Sequence, residues 1–216
     1  MKDFVVHGIP GSPFLRSVLV ALEEKRAPYR VQALEPSSTR SEQYRRLHPF
    51  GRVPVIEHGA FVLYETQAIL RYIDAVYPDP ALQPHAPEAL GRMNQIIGIN
   101  DWYLFPRVAR VIVFERIVAP VLFGKTPNEE AIAAALPDAR LCLGELDRLL
   151  GDQEFLAGTD FSIADVLLAP QLHYLAATPE GESVMRGTAL AAWLVRVSER
   201  PSMKATAPPD ALRTAA

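Results

Sequence analysis

Three short stretches hold residue types at spacings that could do chemistry. In GSPFLR (11–16) a serine is followed by a proline and then by a helical pattern, so the Ser12 hydroxyl stands where a helix begins. The first turn of a helix leaves N–H groups free and carries a partial positive charge, which favours an anion beside it. A hydroxyl placed there either donates to such an anion or caps the helix, with Pro13 at the first helical position. In YET (64–66), Glu65 and Thr66 stand where a strand passes into a second helix. That end is a seat for a carboxylate, or else Glu65 only favours the helix dipole and Thr66 only caps. In GRVPVIEHG (51–59), Val53, Val55 and Ile56 read as buried strand, yet Pro54, which cannot donate to a ladder, sits at its mouth. The chemistry these residues offer is the holding and stabilising of anions. No metal-ligating cluster is read anywhere in the chain.

The elements that must position these residues follow from periodicity. KDFVVH (2–7) makes a strand that ends at the turn GIPGSP. A helix follows over about 13–26, its stripe formed by Leu15, Val18, Leu19 and Leu22. A second strand is expected at Tyr29–Ala33, then a polar connection, EPSSTR, and a short helix near 41–47. Pro54–Glu57 and Phe61–Leu63 form a hairpin around His58–Gly59, and a helix runs from about Glu65 to Val76. The order βαβ, helix, ββα predicts a mixed sheet with helices on both faces. YPDPALQPHAP (77–87) has four prolines and no periodicity and reads as a linker. Beyond it helices are expected near 87–119, 127–150, 162–177 and 187–199, with no convincing strand. The expectation is a small α/β domain over 1–78, a linker at 79–87 and an all-helical domain over 88–216.

Composition bounds the function. Of 216 residues 49% are hydrophobic and the formal net charge is -3, enough apolar material for a core and no electrostatic footprint for nucleic acid. Arg40, Arg45 and Arg46 read as a solvated face. Cys142 is the only cysteine, which excludes an internal disulfide or a CxxC pair. It falls in DARLCLGELDRLL (138–150), where it reads as a small core residue. No apolar run of about 18 residues suggests a membrane span, and the start lacks the pattern of a signal peptide, so a cytoplasmic protein is expected.

With these elements in place the chain resembles the cytosolic glutathione transferases, in particular serine-type, bacterial-like members similar to the theta and phi classes. The resemblance covers nearly the whole chain. It rests on HPFGRVPVIEHGAFVLYETQAILRYI (48–73), GIPGSPFLRSVLVALEE (8–24) and GTDFSIADVLLAP (158–170), in this order and spacing. It implies a thioredoxin-like N-terminal domain, an all-α C-terminal domain, glutathione as co-substrate with no metal, and a homodimer. The resemblance also implies a cis bond before Pro54, which turns the Val53 backbone outward to pair strand-fashion with the cysteinyl part of glutathione. Glu65 would meet the α-amino group of the γ-glutamyl end, and Thr66 its α-carboxylate. Many relatives carry serine where Thr66 stands, and the hydroxyl is kept.

By the same resemblance Ser12 would stabilise the glutathione thiolate, whose free thiol has a pKa of about 8.5. A tyrosine-type site has no candidate in residues 1–28, and a cysteine-type site is excluded by the place of Cys142. Thr39 and Arg40 fall where relatives bind the glycyl carboxylate, and Arg52 where relatives often have glutamine or lysine. His48, with Pro49 and Phe50, is expected to be structural. Ser162 and Asp165 form a capping box that serves folding.

Trp102, Tyr103, Phe105 and Arg107 are candidates for an apolar second-substrate pocket between the domains, or for ordinary helix packing. Tyr72, Tyr77, Met93 and Ile97 are candidates for the dimer face. The function expected is attack of the glutathione thiolate on a small, largely apolar electrophile. The alternatives are disulfide, peroxide or dehalogenation chemistry on the same thiolate, and a non-catalytic binding module of this fold.

Overall fold

The structure is a computed structural model and describes residues 2–213. The chain divides into two compact units: residues up to Gln83 with Pro201–Pro208, and Pro84–Arg200 with the segment from Pro209.

The first unit is built on four strands: β1 (Phe4–Gly8), β2 (Tyr29–Ala33), β3 (Val55–His58) and β4 (Phe61–Tyr64). They lie in the order β2-β1-β3-β4, with β1 parallel to β2 and antiparallel to β3, and β3 antiparallel to β4. Alternation decides what each strand buries. Phe4 and Val6 enter the core and Val5 and His7 lie on the other face, where His7 Nε2 meets Glu57 Oε1 at 2.5 Å. Helices α1 (Pro13–Glu24) and α3 (Thr66–Val76) pack on each other. α1 buries Leu15, Val18 and Leu22, and α3 buries Ile69, Leu70 and Ile73. Helix α2 (Glu42–Arg45) is a single turn after a 3-10 turn at Pro36–Arg40.

The proline-rich stretch after α3 is bound down. Asp74 Oδ1 accepts from Leu82 N–H at 2.8 Å and from Lys25 Nζ at 2.5 Å, and Asp74 Oδ2 accepts from Gln83 at 3.0 Å. Lys25 also donates to the Pro80 carbonyl. A buried charge pair this well satisfied holds geometry rather than adding much net stability.

The second unit is helical. α4 (Pro87–Ile99) runs into a π-helical stretch, Asn100–Ala109, and the same rod continues as α5 (Arg110–Val113), a second π stretch, Phe114–Val118, and α6 (Ala119–Phe123). Pro106 lies inside the first π stretch, where it has no N–H to give and its ring would strike a carbonyl of the preceding turn in α geometry. The wider π turn is the local adjustment, and Arg110 N–H accordingly reaches Phe105 O, five residues back.

Next come α7 (Glu129–Leu150), α8 (Ile163–Ala176), α9 (Pro179–Met185) and α10 (Ala189–Ser198). α8 is apolar nearly all round and packs against α4, α5, α9 and α10, as a central helix must. Its N-terminus is held by the expected box. Asp165 Oδ2 accepts from Ser162 N–H at 2.9 Å and Ser162 Oγ at 2.8 Å, and Oδ1 from Leu156 N–H at 2.9 Å and Trp193 Nε1 at 2.8 Å. Burial pushes the Asp165 carboxyl up, and these four donors pull it back. α11 (Pro201–Ala205) returns to the first unit and packs on α1, and α12 (Asp210–Arg213) ends the described residues.

Met93 and Ile97 differ from their expected place. They are 0% and 3% exposed inside the helical core, so they supply no surface for a second copy. Tyr72 and Tyr77 stay half-buried, and beside Tyr72, on the edge strand β4, lies the exposed ring of Phe61 at 4.9 Å.

Candidate active site

The strand registers gather the candidate residues of the first unit. Gly8 opposes Ala33, His7 opposes Val55, and Val55 opposes Tyr64. The C-terminal ends of β1, β2 and β4 and the N-terminal end of β3 therefore lie together. From that one end leave the turn to Ser12, the loop to Thr39 and Arg40, the Arg52–Pro54 segment, and Glu65–Thr66.

Gly8 is needed where β1 meets α1, since a Cβ there would stand 2.7 Å from a methyl of Leu15. The turn after it delivers Ser12 as the N-cap of α1, its Oγ accepting from Leu15 N–H at 3.3 Å, with Pro13 at the first helical position. One turn into the helix Arg16 is buried and donates from Nη2 to the Met203 carbonyl at 3.0 Å.

The Val53–Pro54 peptide is cis. Neither the N–H nor the C=O of Val53 takes a hydrogen-bond partner among the described residues, although the strand beyond it is fully laddered. The segment before it is tightly closed. Gly51 has φ +62° and lies so close to the Thr39 carbonyl that a Cβ would meet it at 2.8 Å. Gly51 N–H donates to His48 O at 2.9 Å, and Tyr44 Oη donates to Arg52 O at 2.7 Å.

Glu65 is the residue before α3 and holds φ 72°, ψ 112°, a left-handed value that costs a non-glycine residue about 1–3 kcal/mol. It does not cap α3 with its side chain, and its carboxylate is exposed. Thr66 is the first helical residue, 9% exposed, and makes no side-chain hydrogen bond among the described residues.

Thr39 and Arg40 end the 3-10 turn. The Thr39 hydroxyl is spent on the Pro36 carbonyl at 3.0 Å, whereas Arg40 and Arg52 are exposed. His48 is buried with its ring 4.6 Å from that of Tyr64, and its Nδ1 has no partner among the described residues. Burial holds the His48 imidazole below its usual range; the Glu65 carboxylate pulls the other way and Arg52 reinforces the burial. His48 thus feels two of the candidate residues, which its reading as purely structural did not anticipate.

The remaining candidates belong to the helical unit. Trp102, Tyr103, Phe105 and Arg107 all lie on the π stretch Asn100–Ala109, where Leu104 and Val108 face the core. Trp102 is 74% exposed and Tyr103 half exposed; the Arg107 guanidinium stands 5.8 Å over the Tyr103 ring and 3.8 Å from Asp138. Cys142 is buried, and burial pushes its thiol up, away from thiolate chemistry. Among the described residues no group of three or more His, Cys, Asp or Glu is placed to hold a metal ion, and no helix is long and apolar enough to cross a membrane.

The chain is similar to known proteins along nearly its whole length. The pattern of the glutathione S-transferase N-terminal domain matches residues 6–81, and that of the glutathione S-transferase C-terminal domain matches residues 129–196. Glutathione S-transferase 4 of Zea mays is 31% identical over 209 residues, covering 91% of this chain and 88% of that protein. Among solved structures, apo glutathione S-transferase III superposes with a TM-score of 0.85 at 26% identity, covering 96% of this chain and 99% of that one. The theta-class glutathione S-transferase of Xanthomonas axonopodis pv. citri, solved with glutathione bound, has a TM-score of 0.77 at 26% identity and covers 95% of this chain and 97% of that one. A four-stranded mixed sheet joined to a helical unit, matched in both parts and along nearly the whole length, leads to one assignment: the chain belongs to the glutathione S-transferase family.

Proposed function

We propose that Ser12 stabilises the thiolate of bound glutathione for attack on a small, largely apolar electrophile. The chain is a glutathione transferase, with glutathione as its co-substrate. One observation carries the site: the registers bring Ser12, Val53 and the Glu65–Thr66 pair to the same end of the sheet. There a γ-glutamyl peptide finds what it needs. The unpaired Val53 backbone takes the cysteinyl residue as an added strand. The α3 N-terminus and the Thr66 hydroxyl take the α-carboxylate, and the Glu65 carboxylate takes the ammonium. Ser12 donates to the sulfur, while the exposed Arg40 and Arg52, with Thr39, lie on the glycyl side. Trp102, Tyr103, Phe105 and Arg107 offer the electrophile an aromatic surface. The glutathione-binding domain is 1–78, joined through 79–87 to the helical 88–216, and the enzyme works in the cytoplasm as a homodimer.

The test is a conjugation assay with an activated chloroarene and reduced glutathione, alongside calorimetric titration with glutathione. Saturable turnover with micromolar to millimolar glutathione is expected. Binding without turnover across a panel of haloarenes, enones and epoxides would remove the transferase chemistry and leave a binding module.

A further inference from the structure

Helix α2 is one turn long, too short to stand alone, and the Tyr44 side chain ties it to the Arg52–Val53 segment. Ser41 caps it, accepting from Tyr44 N–H at 3.2 Å. Tyr44 is 4% exposed. Its carbonyl accepts from Leu47 N–H at 2.9 Å and His48 N–H at 3.0 Å, and its hydroxyl donates to the Arg52 carbonyl at 2.7 Å. Tyr44 therefore grips both ends of the turn that leads to Val53. Burial pushes its phenol up to about 12, so the group remains a donor at any working pH.

The Arg52 carbonyl and the Val53 N–H belong to one planar trans peptide group, in which they point in opposite directions. Fixing the carbonyl on Tyr44 fixes the direction of the N–H as well. A hydrogen bond accepted at the carbonyl also polarises the group and makes its N–H a stronger donor. That N–H has no partner among the described residues.

We infer that Tyr44 is a positioning residue for glutathione, its hydroxyl bond to Arg52 setting the Val53 N–H to receive the cysteinyl carbonyl. The inference rests on the proposed pairing of Val53 with glutathione. It needs no contact between Tyr44 and the substrate. Tyr44→Phe keeps the buried ring and removes only the donor.

The experiment measures glutathione dissociation constants for wild type and Tyr44→Phe. It uses reduced glutathione and an E-alkene isostere that keeps the shape of the Cys–Gly amide but lacks both its carbonyl and its N–H. A neutral hydrogen bond gives a scale of about three- to tenfold per bond. Wild type should bind the isostere that much more weakly than glutathione. The variant should lose a similar factor on glutathione and little further on the isostere, because both changes disable the same Val53 N–H contact. In turnover the variant should raise KM for glutathione and leave kcat at saturating glutathione unchanged, since the peptide contact is the same in ground and transition states.

Replacing Tyr44 by 3-fluorotyrosine, a stronger donor of nearly the same size, should move affinity the other way, and it keeps the test available should the phenylalanine variant fold poorly. A variant that binds glutathione as wild type does, or that loses equally on both ligands, overturns the role of Tyr44 and leaves the Val53 pairing intact. Wild type binding both ligands alike overturns the pairing itself, and the inference with it.

Discussion

The Ser12 hydroxyl accepts the Leu15 N–H at 3.3 Å, a bond that occupies an oxygen lone pair and leaves the hydroxyl proton for another partner. Capping α1 and donating to a thiolate are therefore compatible roles for one side chain. Ser12→Ala should do two separable things. It should lower stability by about 0.5–1 kcal/mol, the low end for a lost cap, because the bond is long. It should also raise the apparent pKa of bound glutathione and cut the rate near neutral pH by about ten- to a hundredfold. A thiolate absorbance titration and a melting curve on the same variant read the two effects. A lowered melting temperature beside an unshifted thiolate pKa would leave Ser12 a cap alone.

Glu65 combines a strained backbone with an exposed carboxylate, and the two can be pulled apart. Glu65→Gly should relieve about 1–3 kcal/mol of strain, less the chain entropy that glycine adds. The same change should weaken glutathione binding by about 1–3 kcal/mol, as Thr66→Ala should. Stability and affinity then move in opposite directions at residue 65. Calorimetry showing wild-type affinity in both variants, with the fold intact, would end the γ-glutamyl assignment.

His48 gives the first unit a pH dependence of known sign. Its imidazole is held below the usual range by burial, so the unfolded chain takes up its proton first as pH falls. Stability from this group is complete above about pH 6.5 and declines below it, by at most about 1.4 kcal/mol per pH unit, until the folded state also protonates. His48→Phe keeps the ring beside Tyr64 and removes the titration. The difference between wild-type and variant denaturation midpoints should grow in favour of the variant from pH 7 to pH 5. A constant difference over that range would contradict the shift.

Asp165 holds four donors on two oxygens. Asp165→Asn preserves its shape but turns one acceptor into an amide that faces N–H and O–H donors. The expected loss is about 3–5 kcal/mol of stability, because buried donors are left without acceptors. Activity per folded molecule should be unchanged, since the box lies in the helical unit and positions α8. A denaturant titration paired with an active-fraction assay checks both parts.

Much of this is legible in the sequence. Val6, Val55 and Ile56 announce strands by alternation and β-branching, and Leu15, Val18 and Leu22 announce α1 by spacing. Other features depend on distances that pattern does not encode. Met93 and Ile97 show the same periodicity whether a helix faces its own core or a second copy, and only packing decides. The π stretch reads as ordinary helix, because Pro106 signals a disturbance without saying how the backbone absorbs it. α9 carries too little pattern to be legible: it is seven residues long, with Gly181 inside it. Tyr44 is not legible as a site residue because its partner is a main-chain carbonyl eight positions on, brought back by loop closure.

The return of Pro201–Pro208 to the first unit has a consequence for how the protein is made. Arg16 in α1 donates to the carbonyl of Met203, and Glu24 accepts from Ser202, contacts spanning 187 and 178 positions. On a ribosome adding about 5–20 residues per second, Met203 is added roughly 10–40 s after Arg16. The first unit is thus completed only after Pro84–Arg200 of the helical unit has been synthesised, although its strands are made first. A nascent chain released before Met203 would carry every candidate glutathione contact yet lack the segment that closes over α1.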